Sequence, residues 1–172
     1  MIETPRLKLI ALKHQQIKLL KSSPRGLAIS LGINYQPKQN DPKTLKDLEE
    51  AIVFWLYATK HYPADYQWYT NWEIILKAEN VSIGGIGFAG KPDELGESEV
   101  GYGIDVRYHN KGFATEALAA LMKWGFNNES LKAIKAKTPS DNISSQKVLE
   151  KNGFKRVDET AGVIEWLALK KT

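Results

Sequence analysis

Seven segments of the chain carry alternating hydrophobic and polar residues, or runs of aromatic and β-branched residues, both of which favour β-strands. Between them, apolar residues recur at helical spacing, which predicts amphipathic helices. The predicted strands cover residues 4–12, 66–77, 81–88, 99–106, 133–138, 154–158 and 163–170. The predicted helices cover residues 14–20, 42–60 and 113–127, and a last helix begins after Asp141 or Asn142 and ends at residues 152–153.

Residues that favour helix ends support two of these helices. Asp41 is suited to the N-cap of the long helix and Pro42 to its first position. Gly153 is suited to the left-handed position that follows the last turn of the final helix. Residues 22–40 are rich in proline and glycine, so we expect a loop there with at most one short helical segment.

The order of these elements indicates the fold class. Strands joined in hairpins come first and an alternation of strands and helices follows, which predicts an α/β (α+β) domain with three layers around one central sheet. We expect residues 1–172 to form a single domain, because a chain of this length buries a substantial core. We expect Trp68, Trp72 and Trp124 to pack in the core and against the sheet rather than on a ligand.

The composition excludes several kinds of chemistry. The chain has no cysteine, which rules out disulfides, thiolate metal sites and a cysteine nucleophile, and we expect no metal. The chain has no run of about 20 apolar residues that would predict a membrane span, and residues 1–6 lack the features of a signal peptide. The absence of cysteine fits a cytoplasmic protein, which is what we expect. The net charge of +4 comes with scattered lysines, and no pattern typical of nucleic-acid binding is present.

A basic turn with one glycine lies between the predicted strand 99–106 and the helix that follows it. A strand, turn and helix in this order present free backbone N–H groups and the positive end of a helix to a phosphate. A side chain at Gly112 would block the close approach of a ligand to the backbone. The turn is neither a Walker loop nor a dinucleotide fingerprint, which need more glycines. Taken alone, a single glycine here is more often a simple turn.

Two segments together give this turn a more specific meaning. Residues 108–117 read Tyr-His-Asn-Lys-Gly-Phe-Ala-Thr-Glu-Ala, and residues 142–154 read Asn-Ile-Ser-Ser-Gln-Lys-Val-Leu-Glu-Lys-Asn-Gly-Phe. They resemble the GNAT superfamily of acetyl-CoA-dependent N-acetyltransferases, the first its pyrophosphate-binding motif and the second its Asn-x-x-Ser…Leu-Glu-Lys-x-Gly-Phe segment. Residues 3–9 and 99–102 resemble the branch that contains the ribosomal-protein N-terminal acetyltransferases.

The resemblance implies a central mixed, mostly antiparallel sheet of about seven strands and acetyl-CoA (coenzyme A) as cosubstrate, without a metal. It also implies that the cosubstrate contacts the end of one strand, the turn and the last helix, at Ile104, Val106, Arg107, His109, Asn110, Lys111, Gly112, Phe113, Ala114, Thr115 and Asn142. The alternative for Arg107, His109 and Lys111 is that they are solvated residues of the turn. The chain departs from the family at His109, where Gln or Arg is usual. It also has Leu149 where many members carry the tyrosine that acts as general acid, so that role does not transfer.

Acetyl transfer to an amine requires a neutral amine and a proton for the departing thiolate. An alkyl amine with a pKa near 10.4 is neutral in only about one molecule in a few thousand at pH 7, so a general base has a large effect. Strand alternation places Glu99 on one face with Gly101 and Gly103, which leaves space beside the carboxylate. We therefore predict Glu99 as the base; the alternative is a solvated residue at the start of a strand.

The first turn of the last helix carries two further candidates. Asn142 and Ser145 are three residues apart and so share one face of the helix. Asn142 is also suited to cap the helix. The resemblance implies that Asn142 bonds the pantetheine arm and that Ser145 lies near the thiolate, where its hydroxyl would donate a hydrogen bond or hold a water.

These observations predict an N-acetyltransferase that moves an acetyl group from acetyl-CoA directly to a primary amine. The acceptor is either a protein N-terminus or a small molecule such as an amino acid, polyamine or aminoglycoside. The alternative is a non-catalytic acyl-CoA-binding module with the same fold.

Further expectations concern where the ligands and partners bind. We expect the acceptor to contact residues 22–40, the hairpin around Asn80 and the last two strands. The strands 99–106 and 133–138 should be adjacent and separate near Val106 to admit the pantetheine arm. A homodimer is also expected, and neither nucleic acid nor a membrane is an expected partner.

Overall fold

The computed structural model describes residues 1–40 and 42–171, apart from the side chain of Lys43. The predicted cap at Asp41 lies outside the described residues. The strands are β1 (Ile2–Glu3), β2 (Leu7–Ala11), β3 (Trp72–Leu76), β4 (Val81–Phe88), β5 (Glu97–Ile104), β6 (Ala133–Pro139), β7 (Lys155–Thr160) and β8 (Val163–Leu169). The helices are α1 (His14–Ser22), α2 (Pro24–Leu31), α3 (Pro42–His61), α4 (Phe113–Phe126) and α5 (Ile143–Lys151), and short 3-10 helices cover Tyr66–Trp68 and Val106–Tyr108.

The strands form one sheet in the order β1-β2-β3-β4-β5-β6-β8-β7. Neighbouring strands are antiparallel except for β5 and β6, which are parallel. This confirms the mixed, mostly antiparallel sheet and the α/β fold class. The sheet has one strand more than expected, because the chain reverses direction at residues 4–6 and β1 folds back on β2. Pro5 lies in this reversal, where its missing N–H costs the ladder no hydrogen bond.

The strand predicted over residues 66–77 is shorter in the structure. Residues 66–68 form a 3-10 helix, and β3 begins only at Trp72. The aromatic residues of this segment pack in the core and do not form strand pairs in the sheet. Trp68 packs against Phe88 and Trp124, with ring centroids 4.9 and 4.7 Å away. The predicted core packing of the tryptophans is thus confirmed.

β5 begins and ends two residues earlier than predicted. Asp105 ends it, because its carboxylate accepts a hydrogen bond from the Arg107 N–H at 3.0 Å and so caps the following 3-10 helix. The Asp105 side chain is fully buried. A buried side chain therefore stabilises the change of chain direction after β5.

The pairing between β5 and β6 is confined to three residue pairs at the start of both strands. Residues 97–99 pair with residues 133–135, and no pairing continues beyond Glu99. β6 nevertheless continues to pair with β8 as far as Pro139, and β5 with β4 as far as Ile104. The two strands are therefore adjacent and then separate, as predicted, but the separation begins after Glu99 and not near Val106.

Helices cover both faces of the sheet. α4 and α5 bury apolar residues such as Leu118, Leu121 and Leu149 against one face. α1, α2 and α3 meet in a second cluster around Leu12 and Ile17, and α3 lies over the other face of β4 and β5. Within residues 1–40 and 42–171, no helix is long and apolar enough to cross a membrane.

Candidate active site

A groove opens where β5 and β6 separate; we name it the β5–β6 groove. It is a cavity of about 280 Å³ lined by residues 100–102 of β5 and 136–139 of β6. The first turns of α5 close one side with Asn142, Ser145 and Leu149. The sheet is thus interrupted at a place where an extended ligand has room between two strands.

A second cavity, of about 440 Å³, lies between α3 and the sheet; we name it the α3 cavity. Leu48, Phe54 and Trp55 supply apolar walls, and glycines of β4 and β5 form the floor. Five residues line both cavities, namely Thr44, Asp47, Val100, Gly101 and Tyr102. The two cavities therefore meet at the middle of β5.

Two glycines of β5 keep this meeting point open. A Cβ atom added at Gly101 would find no other atom within 4 Å, and one at Gly103 would meet only the Thr44 methyl group at 3.8 Å. The glycines of β4 differ, because a Cβ at Gly85 would overlap Asn71. The open face predicted beside Glu99 is therefore present at Gly101 and Gly103.

Glu99 lines the α3 cavity. Its side chain is 42% exposed, and a carboxylate oxygen lies 3.7 Å from Nζ of Lys137. Lys137 lies at the same distance from Glu165, so this cation is shared between two carboxylates. Such exposed pairs contribute little to stability. The position suits a base that takes a proton from a ligand in the cavity.

A second carboxylate in the α3 cavity, that of Glu73, is already engaged. It is only 1% exposed and accepts hydrogen bonds from Lys38 and Asn71, each at 2.8 Å, and from Ser82. These contacts hold the segment before α3 against the sheet. Asp47 is exposed and lies where the cavities meet, and it is a carboxylate that we did not predict from the sequence.

The first turn of α5 brings Asn142 and Ser145 together. Asn142 caps the helix as predicted, since its Oδ1 accepts a hydrogen bond from the Ser145 N–H at 3.0 Å. The Ser145 hydroxyl lies 2.8 Å from the hydroxyl of Tyr102. Burial raises the pKa of Tyr102 to about 12, and the hydrogen bond with Ser145 offsets this only in part. Tyr102 was not among the predicted site residues, although strand alternation places it on the face opposite Glu99.

The basic turn before α4 has the backbone expected of a phosphate site. Asn110 and Gly112 both have positive φ angles, of 58° and 78°. Gly112 caps α4, and the first intrahelical bond runs from the Glu116 N–H to the Gly112 carbonyl at 3.1 Å. The N–H groups of residues 113–115 have no acceptor in the part of the chain that the structure describes, as is usual for a first helical turn.

The predicted basic residues of this turn have different surroundings. The Arg107 guanidinium is 2.6 Å from both the buried Asp105 carboxylate and the Pro37 carbonyl. Burial would raise the pKa of Asp105, but the hydrogen bonds from Arg107 and from the Gln39 N–H outweigh it and lower the pKa to about 2. His109 bonds the carbonyl of the strand end through Nε2 at 2.7 Å. Much of the charge of Arg107 is therefore balanced within the protein.

A basic residue that we did not predict, Arg6, lies on the turn. Its Nε is 2.6 Å from Glu116 Oε2, and its Nη1 donates to the Lys111 carbonyl at 3.0 Å. Its Nη2 is 3.5 Å from the position that a Cβ of Gly112 would take. Glu116 also accepts a hydrogen bond from Thr4 at 2.6 Å. Arg6 thus fixes the turn from a position 105 residues away, a distance over which no local pattern gives a signal.

The predicted contacts of the acceptor agree with the α3 cavity only in part. Lys38 and Asn40, from the segment 22–40, line the cavity. The strands of the hairpin around Asn80 also line it, through Glu73 and the glycines of β4, but its turn does not. Among the described residues, the last two strands do not contribute to it. α3 forms the facing wall instead, because it folds over the glycine face of β4 and β5. In the same part of the chain, no group of three His, Asp or Glu residues could hold a metal ion.

This chain belongs to the GNAT acetyltransferase family. The family model described as "Acetyltransferase (GNAT) domain" matches residues 22–155, which confirms the resemblance carried by the two motifs. Among curated proteins, the chain is 35% identical over 103 residues to the uncharacterized N-acetyltransferase YjdG of Bacillus subtilis (strain 168). This alignment covers 60% of the chain and only 61% of the length of YjdG.

Solved structures with the same fold cover the chain almost completely. An acetyltransferase of the GNAT family from Bacillus anthracis has a TM-score of 0.62 and 22% identity, and covers 98% of this chain and 97% of its own. The ribosomal-protein-S5-alanine acetyltransferase from Vibrio fischeri has a TM-score of 0.66 and 19% identity, and covers 97% and 94%. At these identities the two structures support the fold.

Proposed function

We propose that the protein is an N-acetyltransferase that moves an acetyl group from acetyl-CoA directly to a primary amine, either a protein N-terminus or a small molecule. The observation that carries this proposal is the meeting of two cavities at Gly101. One cavity runs between separated strands and the other lies under α3, so a thioester and an amine have separate routes to one point. Family membership supports the same reaction.

The residues around the groove fit acetyl-CoA. Residues 110–115 offer backbone N–H groups and the positive end of α4 to the pyrophosphate, in a turn kept free of a side chain at Gly112. Ile104 ends β5 in the part that is no longer paired with β6, and Val106 follows it. The pantetheine arm would lie along this part of the strand, with Asn142 on the opposite side. Arg107, His109 and Lys111 add basic groups nearby, and Arg6 adds a further one. The bound cosubstrate would supply the acetyl group as a reactive thioester.

Two side chains of this protein would act on the reacting atoms. Glu99 would take the proton that is released as the amine nitrogen bonds to the acetyl carbon. Ser145 would donate a hydrogen bond to the sulfur as the carbon–sulfur bond breaks. A covalent intermediate on the enzyme is not needed, which suits a chain without cysteine. The alternative for Glu99 is a surface carboxylate paired with Lys137, which is compatible with its 42% exposure.

A second candidate function is a non-catalytic acyl-CoA-binding module. The observation that favours it is Leu149, which is completely buried. Many family members have at this position a tyrosine whose hydroxyl acts as the general acid. The groove would then bind the cosubstrate without assisting the departure of the thiolate.

One experiment separates these functions. Calorimetric titration with coenzyme A measures binding, and release of free thiol from acetyl-CoA measures transfer to a panel of amines. The panel should hold a peptide with a free N-terminus, a polyamine, an amino acid and an aminoglycoside. Binding together with transfer to one of these amines is the expected result. Binding without transfer would support the module, and no binding would contradict both functions.

The assembly state and the location of the protein are also proposals. We propose a homodimer in the cytoplasm, as expected from the sequence. Light scattering coupled to size-exclusion chromatography would test the dimer, and a monomeric mass at micromolar concentration would contradict it.

A further inference from the structure

A pair of hydroxyl groups spans the β5–β6 groove. Tyr102 lies on β5 beyond the last pair with β6, and its hydroxyl reaches the first turn of α5. It lies 2.8 Å from Ser145 Oγ and 3.2 Å from the Ser145 carbonyl oxygen. Both residues line the groove, and Tyr102 also lines the α3 cavity. The pair is therefore situated beside the point where the two cavities meet.

Either hydroxyl could donate across the 2.8 Å separation, so the acidity of the two groups decides the direction. A separation of 2.8 Å is typical of a good O–H···O hydrogen bond, whereas 3.2 Å is long for one. Since a phenol is more acidic than an aliphatic hydroxyl, Tyr102 is the favoured donor to Ser145 Oγ, and the Ser145 carbonyl oxygen at 3.2 Å is its poorer acceptor. Ser145 Oγ makes no other hydrogen bond with the described residues, so its own hydrogen is left for an acceptor in the groove. The backbone of Ser145 is held by the cap from Asn142.

We propose that Tyr102 is a positioning residue for the departing thiolate, because it orients the Ser145 hydroxyl so that Ser145 donates its hydrogen to the sulfur. This inference rests on the proposed acetyl transfer. A hydroxyl that accepts one hydrogen bond becomes a better donor in the next, so the pair stabilises a negative sulfur more than Ser145 alone. Leu149, buried at the same groove, offers no donor, and Tyr102 compensates from the neighbouring strand.

Tyr102 itself does not act as the acid. A phenol with a pKa of about 12 holds its proton more firmly than a thiol with an ordinary pKa near 8.5, so complete transfer to the thiolate is unfavourable. The high pKa instead keeps Tyr102 protonated, and hence a donor, at neutral pH. The thiolate takes its proton from solvent after it leaves. Among the described residues, Lys137 and Asp47 are the charged groups that line the same groove, and both remain in the variants below.

The test measures the bound thiol directly. The ultraviolet absorbance of the thiolate gives the pKa of coenzyme A bound to the wild type, to Tyr102→Phe, to Ser145→Ala and to the double variant. In Tyr102→Phe the pKa of the bound thiol should rise toward that of free coenzyme A, and kcat should fall about fivefold, as expected for one hydrogen bond. Affinity for desulfo-coenzyme A, which lacks the sulfur, should not change. Tyr66→Phe, which removes a phenol hydroxyl outside both cavities, is the matched control.

The double variant shows whether Tyr102 acts through Ser145. If it does, Tyr102→Phe has no further effect on kcat or on the thiol pKa once Ser145 is alanine. Additive effects, or an equal loss of affinity for desulfo-coenzyme A, would mean a structural role and would overturn the inference. Binding of coenzyme A without transfer by the wild type would refute the proposed function alone, since the thiol pKa still decides this inference. No binding at all would refute both.

Discussion

The substitution Gly112→Asp tests the proposed phosphate site most directly. Gly112 caps α4, beside N–H groups that have no acceptor among the described residues. A new carboxylate there would lie about 4 Å from a phosphate bound to these groups and would repel it by about 4 kcal/mol at the effective dielectric constant of a protein surface. Arg6 Nη2, 3.5 Å from the new Cβ, would neutralise part of this charge. We therefore expect the affinity for coenzyme A to fall about 100-fold or more.

The same substitution should leave the fold intact. The φ angle of 78° at Gly112 is strained for most residues, but aspartate tolerates this region better than most. An aspartate at an N-cap also favours the helix. We expect a small change in the free energy of unfolding, and far-ultraviolet circular dichroism with urea titration would measure it.

Two further variants separate charge from strain. Gly112→Ala adds bulk without charge and should cause a smaller loss of affinity than Gly112→Asp. Gly153 has a similar φ angle of 82° and no atom within 4 Å of a new Cβ, but it follows the end of α5, so Gly153→Asp should bind coenzyme A normally. Calorimetric titration measures all four proteins. Equal affinities in wild type and folded Gly112→Asp would mean that this turn does not bind the phosphates.

Three other predictions concern the base, the buried ion pair and the meeting point of the cavities. Glu99→Gln should lower turnover about 10²-fold or more at pH 7, with less loss as the amine deprotonates at high pH, and should leave affinity for coenzyme A unchanged; if Asp47→Asn shows this behaviour instead, Asp47 is the base. The lowered pKa of Asp105, about 2, adds stability that is fully present above about pH 4 and is lost as the pH falls from there through about 2. Asp105→Asn should therefore lower the free energy of unfolding by about 2 kcal/mol at pH 7 and should remove most of its dependence on pH between 4 and 2, as measured by urea titration; an unchanged pH profile would contradict this. Gly101→Val should reduce turnover at least about tenfold without loss of unfolding free energy, since the space is open and valine favours strands; normal turnover would mean that the reactants do not meet there.

Periodicity predicted most of the fold because most elements are amphipathic. β4 and α4 begin where expected, and Gly153 takes the left-handed conformation predicted for it. The predictions of secondary structure were wrong where side chains contact residues that are distant in the sequence. Residues 66–71 are as aromatic as a strand, but Trp68 is used to fill the core against Phe88. No local pattern distinguishes these two uses.

The site was predictable as far as its residues are close in sequence. The open face at Gly101 and Gly103 follows from alternation within one strand, and the cap at Asn142 follows from its own helix. Arg6 and Tyr102 were missed because their partners are 105 and 43 residues away. Arg107 shows the reverse case, since its position suggested a phosphate contact but its guanidinium is paired with Asp105.

One strand divides the proposed chemistry between two cavities. Side chains alternate along β5, so Glu99 faces the α3 cavity while Tyr102 reaches Ser145 across the groove. Gly101, one of the two residues between them, has no side chain, and a carbonyl carbon at that point would be within reach from both faces. A complete ladder between β5 and β6 would fill this passage with backbone hydrogen bonds. The break in pairing after Glu99 thus provides both the groove and the meeting point, which explains why motifs identify the residues and only the fold brings them together.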